Sequence, residues 1–337
     1  MYRHLSIFAI VLLVSACGFA EGEQKFADLG QCRTESGVAI EGCRIGYRTW
    51  GALNAEKSNV VVMLTWFGGN SGALAQNVGA DKYVDPAKYF VVAIDAVGDG
   101  VSSSPSNSTA QPRMKFPHIT IADMVQSQHQ LLTDSLHLQH VHAIWGASMG
   151  GMQAFQWAVQ YPGFADVIVT QVGSTKLTAH DLLLWRGETN AIVENKDWNS
   201  GNYQPGLLIR SVSDIQRLEL TTPQELNRRV NPADFDKVEA NENFDPNDRL
   251  RQLEAMMSLD ISKKFGGDMT LAAKAIKARM LIVVGLQDHM VNSQPAIDFA
   301  GLLHVQAILL DSDCGHLAPG CAGEKVTPAV QKALAAE

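Results

Sequence analysis

The chain has 337 residues, 46% of them hydrophobic and 18% charged, which suits one large globular domain with an insertion and excludes a disordered or fibrous chain. Its formal net charge of −8, without any cluster of Lys and Arg, excludes a nucleic-acid-binding surface. No internal repeat is visible.

The first segment in chain order reads as a targeting signal rather than as structure. Arg3 and His4 give a short basic start, and Leu5 to Val14 is a short apolar run. A bilayer span needs roughly 20 residues, so the run suits a secretory h-region better than a membrane helix. Two processing routes fit the small residues after it. Val14-Ser15-Ala16-Cys17 resembles a bacterial lipobox, in which Cys17 becomes the lipidated first residue and tethers the protein to a membrane. Ordinary signal cleavage after Ala20 is the alternative. Residues 1–20 are therefore read as a signal peptide or lipobox. The protein is expected in the periplasm or cell envelope, either lipid-anchored or soluble and secreted.

With Cys17 lipidated or removed, the remaining cysteines fall into two local pairs, Cys32/Cys43 and Cys314/Cys321. An oxidising compartment would make both disulfides, the first stapling a hairpin around Ser36-Gly37 and the second closing a loop that carries His316. Buried free thiols are the other reading. No Cys or His spacing matches a metal site, and no cofactor is expected.

From residue 59 onward, continuous apolar runs alternate with helical patterns. The runs are 59–64 (NVVVML), 89–95, 141–145, 166–173, 279–285 and 306–310, each expected of a buried parallel strand. Between them, residues 121–136 place Ile121, Met124, Val125, Leu131 and Leu132 on one helical face, interrupted by Gln128. Such alternation predicts a parallel sheet covered on both faces, an α/β fold. Residues 176–264 break the pattern. They are polar and helical, with Trp185, Trp198, Tyr203, Met256 and Met257 interspersed, and read as a helical lid inserted between the core segments 26–175 and 265–337.

The chemistry centres on Gly146-Ala147-Ser148-Met149-Gly150, a G-x-S-x-G sequence between strand 141–145 and a following helix. In that context Ser148 sits on a tight strand-to-helix turn, and glycines on both sides avoid clashes. A base and an acid should follow in the order Ser, acid, His. Asp288 comes just after strand 279–285, and His316 after strand 306–310, so both fall at carboxyl ends of parallel strands. Asp95 precedes the serine, while Asp311 and Asp313 lie too near His316 in sequence to orient it from another strand. His118, His129, His137, His180 and His289 read as solvent-exposed or loop residues. The expected triad is Ser148, Asp288 and His316, with the Met149 N–H as one oxyanion donor and the loop TWFGGNSG supplying the other.

These residues carry a resemblance. The stretches GASMGGMQAFQWAVQYP, GYRTWGALN and FDPNDRL look like the homoserine O-acetyltransferase family of α/β-hydrolase-fold proteins, over roughly residues 36 to 317. The resemblance implies an α/β-hydrolase fold with a helical lid that shapes the route to the serine and offers a homodimer contact. It also puts the family's H-A-L-T-G loop on Thr65-Trp66-Phe67-Gly68-Gly69, which makes the Phe67 N–H the second oxyanion donor. WNSGNY (198–203) is similar to a W-x-x-G-x-Y element of the family's lid. Three departures stand out: Thr65 replaces the loop His, Leu317 follows His316 where the family has Asp, and the family's carboxylate-binding Arg has no counterpart in register, Arg186 being the nearest.

Hydrolase and transferase share every step up to the acyl-enzyme and differ in whether water or an alcohol attacks it. An exported protein would not meet cytoplasmic acetyl-CoA. The sequence therefore predicts an exported serine hydrolase acting on a small-molecule ester, with O-acyl transfer to an alcohol as the alternative.

Overall fold

The computed structural model describes residues 22–237 and 244–335. Residues 1–20, read above as a signal peptide or lipobox with Cys17, lie outside the described residues. Among those described, eight strands form one sheet: β1 (Lys25–Cys32), β2 (Ile40–Trp50), β3 (Val60–Leu64), β4 (Phe90–Ile94), β5 (Val141–Ala147), β6 (Ala165–Gln171), β7 (Arg279–Gly285) and β8 (Ile308–Leu310). Their order is β1-β2-β4-β3-β5-β6-β7-β8. β1 pairs antiparallel with β2 and β2 with β4, whereas every later pairing is parallel.

The helices are α1 (Ser71–Leu74), α2 (Ile121–Gln130), α3 (Met149–Gln160), α4 (Ala179–Val193), α5 (Arg210–Leu220), α6 (Pro223–Arg229), α7 (Pro246–Met257), α8 (Met269–Ala275), α9 (Gln294–Leu302), α10 (Ala318–Cys321) and α11 (Gly323–Ala335). Two apolar layers sandwich the sheet. Val62, Leu64 and Ile144 pack towards Met152, Phe155 and Phe299, and Val61, Met63 and Trp145 belong to a second layer with Val326 and Val330. This is why β3 is apolar at every position instead of alternating: both its faces are covered.

Where elements depart from the sequence reading, a local cause is visible. The final strand shrinks to Ile308–Leu310 because it is an edge, paired only with β7. The helix over 121–136 is α-helical only to Gln130 and then widens into a π-helical turn, Leu131–Ser135. Gln128, the polar break in its apolar face, is fully buried and bonded: it accepts from Trp157 Nε1 at 2.9 Å and donates to Gln153 Oε1 at 2.6 Å. His129 corrects the expectation of exposure. It is half-buried and stacked on Tyr161 with ring centres 3.9 Å apart, and burial lowers its pKa.

Both cysteine pairs are disulfides. Cys32–Cys43 joins β1 to β2 with Cα atoms 5.6 Å apart, and Cys314–Cys321 spans the turns after β8 at 6.5 Å. Between β6 and β7 the described chain holds α4 to α8. An isolated bridge, Lys176 to Asp260, reinforced by a 2.8 Å ion pair, draws the two ends of this excursion together. Within it, the FDPND stretch is a helix start: the Asp245 carboxylate accepts the Asn247 and Asp248 N–H groups, and Pro246 occupies the first turn of α7. No described helix is long and apolar enough to cross a membrane.

Candidate active site

Ser148 lies between β5 and α3 with φ 57° and ψ −124°, a conformation that non-glycine residues avoid. The surrounding glycines are required by contact. A Cβ on Gly146 would stand 2.0 Å from the Gly150 carbonyl oxygen, and one on Gly150 would stand 2.5 Å from the Leu64 oxygen. The turn is held by the Ser148 N–H, which donates to Gln171 O at 2.9 Å, and by Met152 N–H donating to Ser148 O at 2.9 Å. Met149 opens α3, so its N–H belongs to the first turn, whose donors the helix leaves unpaired.

Asp288 follows β7 and His316 lies in the turn after β8, so three separate strand ends meet. His316 Nε2 is 2.8 Å from Ser148 Oγ, and its Nδ1 is 2.7 Å from Asp288 Oδ2. The Asp288 carboxylate is buried, its side chain 1% exposed, and its other oxygen accepts the Met290 and Val291 N–H groups at 2.9 Å each. With both lone-pair sites of Oδ1 engaged by backbone, Oδ2 remains to receive Nδ1–H. That fixes the imidazole as the tautomer whose Nε2 lone pair faces the serine hydroxyl. Such an arrangement can withdraw a proton from Oγ.

The other acids and histidines are engaged elsewhere. Asp311 accepts from Gln287, and Asp313 pairs with Arg228 at 2.9 Å while its backbone oxygen takes the Thr222 N–H. Asp95 accepts the Ser71 N–H and hydroxyl, tying down the start of α1. His118 pairs with Glu254 at 2.9 Å, and His180 and His289 are exposed.

Ser148 and His316 open into a cavity of about 530 Å³, also lined by Phe67. Trp66, Leu220, Met290 and Leu317 make part of its wall apolar; Gln76, Asn77, Tyr83, Gln171 and Gln216 supply neutral polar groups. His316 is the only Asp, Glu, Lys, Arg or His side chain among the described lining residues. Arg186 is exposed on α4 and is not among them.

Several supporting residues had no signature in the sequence. Gln153 Nε2 donates to Thr65 O at 3.0 Å, linking α3 to the 65–69 loop, and Gln252 Oε1 on α7 accepts the Gly68 N–H at 3.0 Å. Thr65, in place of the family's His, is buried and accepts the Ala96 N–H at 3.1 Å through its hydroxyl. For Gln252 nothing in the sequence pointed across 184 residues. At the start of α7, burial, then the neighbouring Asp245 charge, pushes the Asp248 carboxyl up to about 7, and in the loop after β4 burial raises Asp99 well above its ordinary value.

Comparison with known proteins agrees with the fold. The family described as alpha/beta hydrolase fold matches residues 59–319. A Corynebacterium glutamicum protein named "Probable esterase" is 28% identical over 335 residues, covering 93% of this chain and 95% of its own. A homoserine O-acetyltransferase of Nautilia profundicola is 33% identical over 192 residues, 52% of each chain. Among solved structures, an acetyl esterase superposes with a TM-score of 0.86 at 25% identity, over 94% of this chain and 98% of that one.

Proposed function

The chain belongs to the alpha/beta hydrolase fold family, and from that premise we propose that it is an exported serine esterase, cleaving small uncharged carboxylic esters through an acyl-enzyme on Ser148. The observation that carries this reading is the Ser148–His316–Asp288 hydrogen-bonded chain at the wall of a cavity with no other charged side chain among its described lining. The similarity to an acetyl esterase and to a protein named as an esterase supports it.

His316 takes the Oγ proton as Ser148 attacks the acyl carbon, and Asp288 stabilises the imidazolium that forms. The N–H groups of Phe67 and Met149 receive the oxyanion; one such donor contributes on the order of 3 kcal/mol to the transition state. His316 then protonates the departing alcohol, and water repeats the sequence on the acyl-enzyme. No cofactor enters any step.

O-acyl transfer to an alcohol is the second reading, supported by the homoserine O-acetyltransferase similarity. Homoserine carries a carboxylate and an ammonium, and the described cavity wall offers neither a counter-charge nor the cost-free burial of an unpaired ion. That favours water or a neutral alcohol. An anchor-free form lacking residues 1–17, given an activated acetyl ester with and without homoserine, separates the two. Acetate formation indifferent to homoserine supports the esterase; acetylated homoserine outrunning acetate would install the transferase.

Export is supported by the two disulfides, which persist in oxidising compartments. Cys17 is proposed as the lipidated anchor, to be checked by the mass of the mature N-terminus. Self-association through the insertion is supported by exposed Leu183 and Leu218 and is read by sedimentation.

A further inference from the structure

The loop carrying Phe67 is a β-turn over residues 66–69. Gly69 N–H donates to Trp66 O at 2.9 Å, Gly68 has φ of +70°, and Phe67 is absent from the positive-φ residues. Those features define a type II turn, which differs from type I by rotation of the middle peptide, here Phe67–Gly68. Three successive peptides of this loop have separate holders. Thr65 O accepts from Gln153 on α3, Trp66 O closes the turn, and the Gly68 N–H reaches Gln252 Oε1 at 3.0 Å. The first comes from α3 and the second from Gly69 of the loop itself. The third comes from the insertion.

Gln252 has no solvent exposure, and only its carboxamide oxygen can accept an N–H, so its orientation is fixed by the bond itself. One turn earlier on α7, the Arg249 guanidinium lies 4.8 Å over the Phe67 ring. Arg249 is in turn paired with Glu188 of α4 at 2.9 Å and bonded to Gln216 of α5. Helices α4, α5 and α7 thus converge on one dipeptide.

We propose that Gln252 is a positioning residue: its carboxamide oxygen pins the Phe67–Gly68 peptide in the type II orientation. In doing so it holds the Phe67 N–H steady towards the substrate oxyanion and makes α7 a working part of the acyl-transfer site. The proposal rests on the acyl-enzyme reading above. With the bond gone, one neighbour of the donor peptide is unpinned, and the turn is free to exchange between its two forms.

Kinetics on a neutral acetyl ester, paired with hydrogen exchange of the Gly68 amide, test this. Gln252→Met, similar in volume but without an acceptor, should lower kcat about tenfold, a fraction of the 10²- to 10³-fold loss for deleting an oxyanion donor outright. KM should stay within about twofold, the Gly68 amide should exchange at least about tenfold faster, and Gln252→Glu, which keeps an acceptor, should recover most of kcat. Wild-type kcat in Gln252→Met, or an equal fall in both variants with Gly68 protection unchanged, would overturn the assignment. Should Gln252→Met fail to fold, Gly68→Ala reads the same turn. No atom lies within 4 Å of a Cβ there, so its cost is the positive φ alone, and the same kcat-without-KM loss is expected. The exchange readout needs no turnover. A wild type inactive on every ester would strike the proposed function, while Gly68 exchange would still decide whether Gln252 holds the turn.

Discussion

Ser148 keeps a backbone conformation that ordinary residues avoid, and its neighbours leave no alternative. Ser148→Ala should therefore abolish ester turnover with unchanged circular dichroism, because the strained turn is built by the glycines and not by the hydroxyl. Asp288→Asn should lower kcat by up to about four orders of magnitude, since an amide in that place favours the wrong imidazole tautomer; a steady-state assay reads both. Gly150→Ala should damage folding rather than chemistry alone, as its Cβ meets the Leu64 carbonyl, and a fall in soluble yield and melting temperature would show it. At this scale the sequence was most legible where a residue type has one chemical use. Ser, Asp and His in order, each at a strand end, could be named in advance. Gln252 and Gln153 could not, because a glutamine on a helix face reads as solvated until its partner across the fold is known.

Strands were legible as elements because burial on both faces erases alternation, and β3 to β7 followed from apolar runs. The β1–β2 hairpin was visible only at its stapled turn, since β1 is largely exposed, β2 is irregularly buried, and neither carries an apolar run. The insertion was recognisable as a break in alternation. Its docking onto residues 66–69 was not, because contact between distant segments leaves no local pattern. The Cys314–Cys321 bridge has a clear consequence at this level. It encloses His316, and Cys321 itself lines the cavity. Either bridge should cost about 2–3 kcal/mol of stability when removed, but only Cys321→Ser should also lower kcat/KM, loss of the distant Cys32–Cys43 bridge sparing kcat. Thermal melts and ester kinetics on the two variants distinguish these effects, and a thiol titration of unfolded, unreduced protein should find neither pair free.

For the molecule as a whole, pH should tell on stability through its buried acids. Asp248 holds its proton up to about pH 7 when folded, but an unfolded aspartate loses it near pH 4. Between those values the folded state binds more protons, so this stabilising contribution is complete below about pH 4 and disappears as pH rises through 7. Asp99 and Asp95, both raised chiefly by burial, act with the same sign. Asp248→Asn should remove this loss, on the order of 4 kcal/mol between pH 4 and 7, so its urea midpoint should exceed that of the wild type increasingly from pH 4 to 7 and by a constant amount above. Identical midpoint profiles would mean that Asp248 ionises freely in the fold.

In the proposed esterase, the cavity that takes up the ester also governs how the reaction ends. Cleavage turns the acyl group into an acid that ionises at neutral pH, and the described wall offers that anion no Lys or Arg to rest against. An unpaired carboxylate in such surroundings is several kcal/mol worse off than in water. The substrate is thus held by apolar contact and neutral hydrogen bonds that the product's new charge works against. Hydrolysis ejects its own acid, and acetate should inhibit turnover far more weakly than a neutral amide of the same shape.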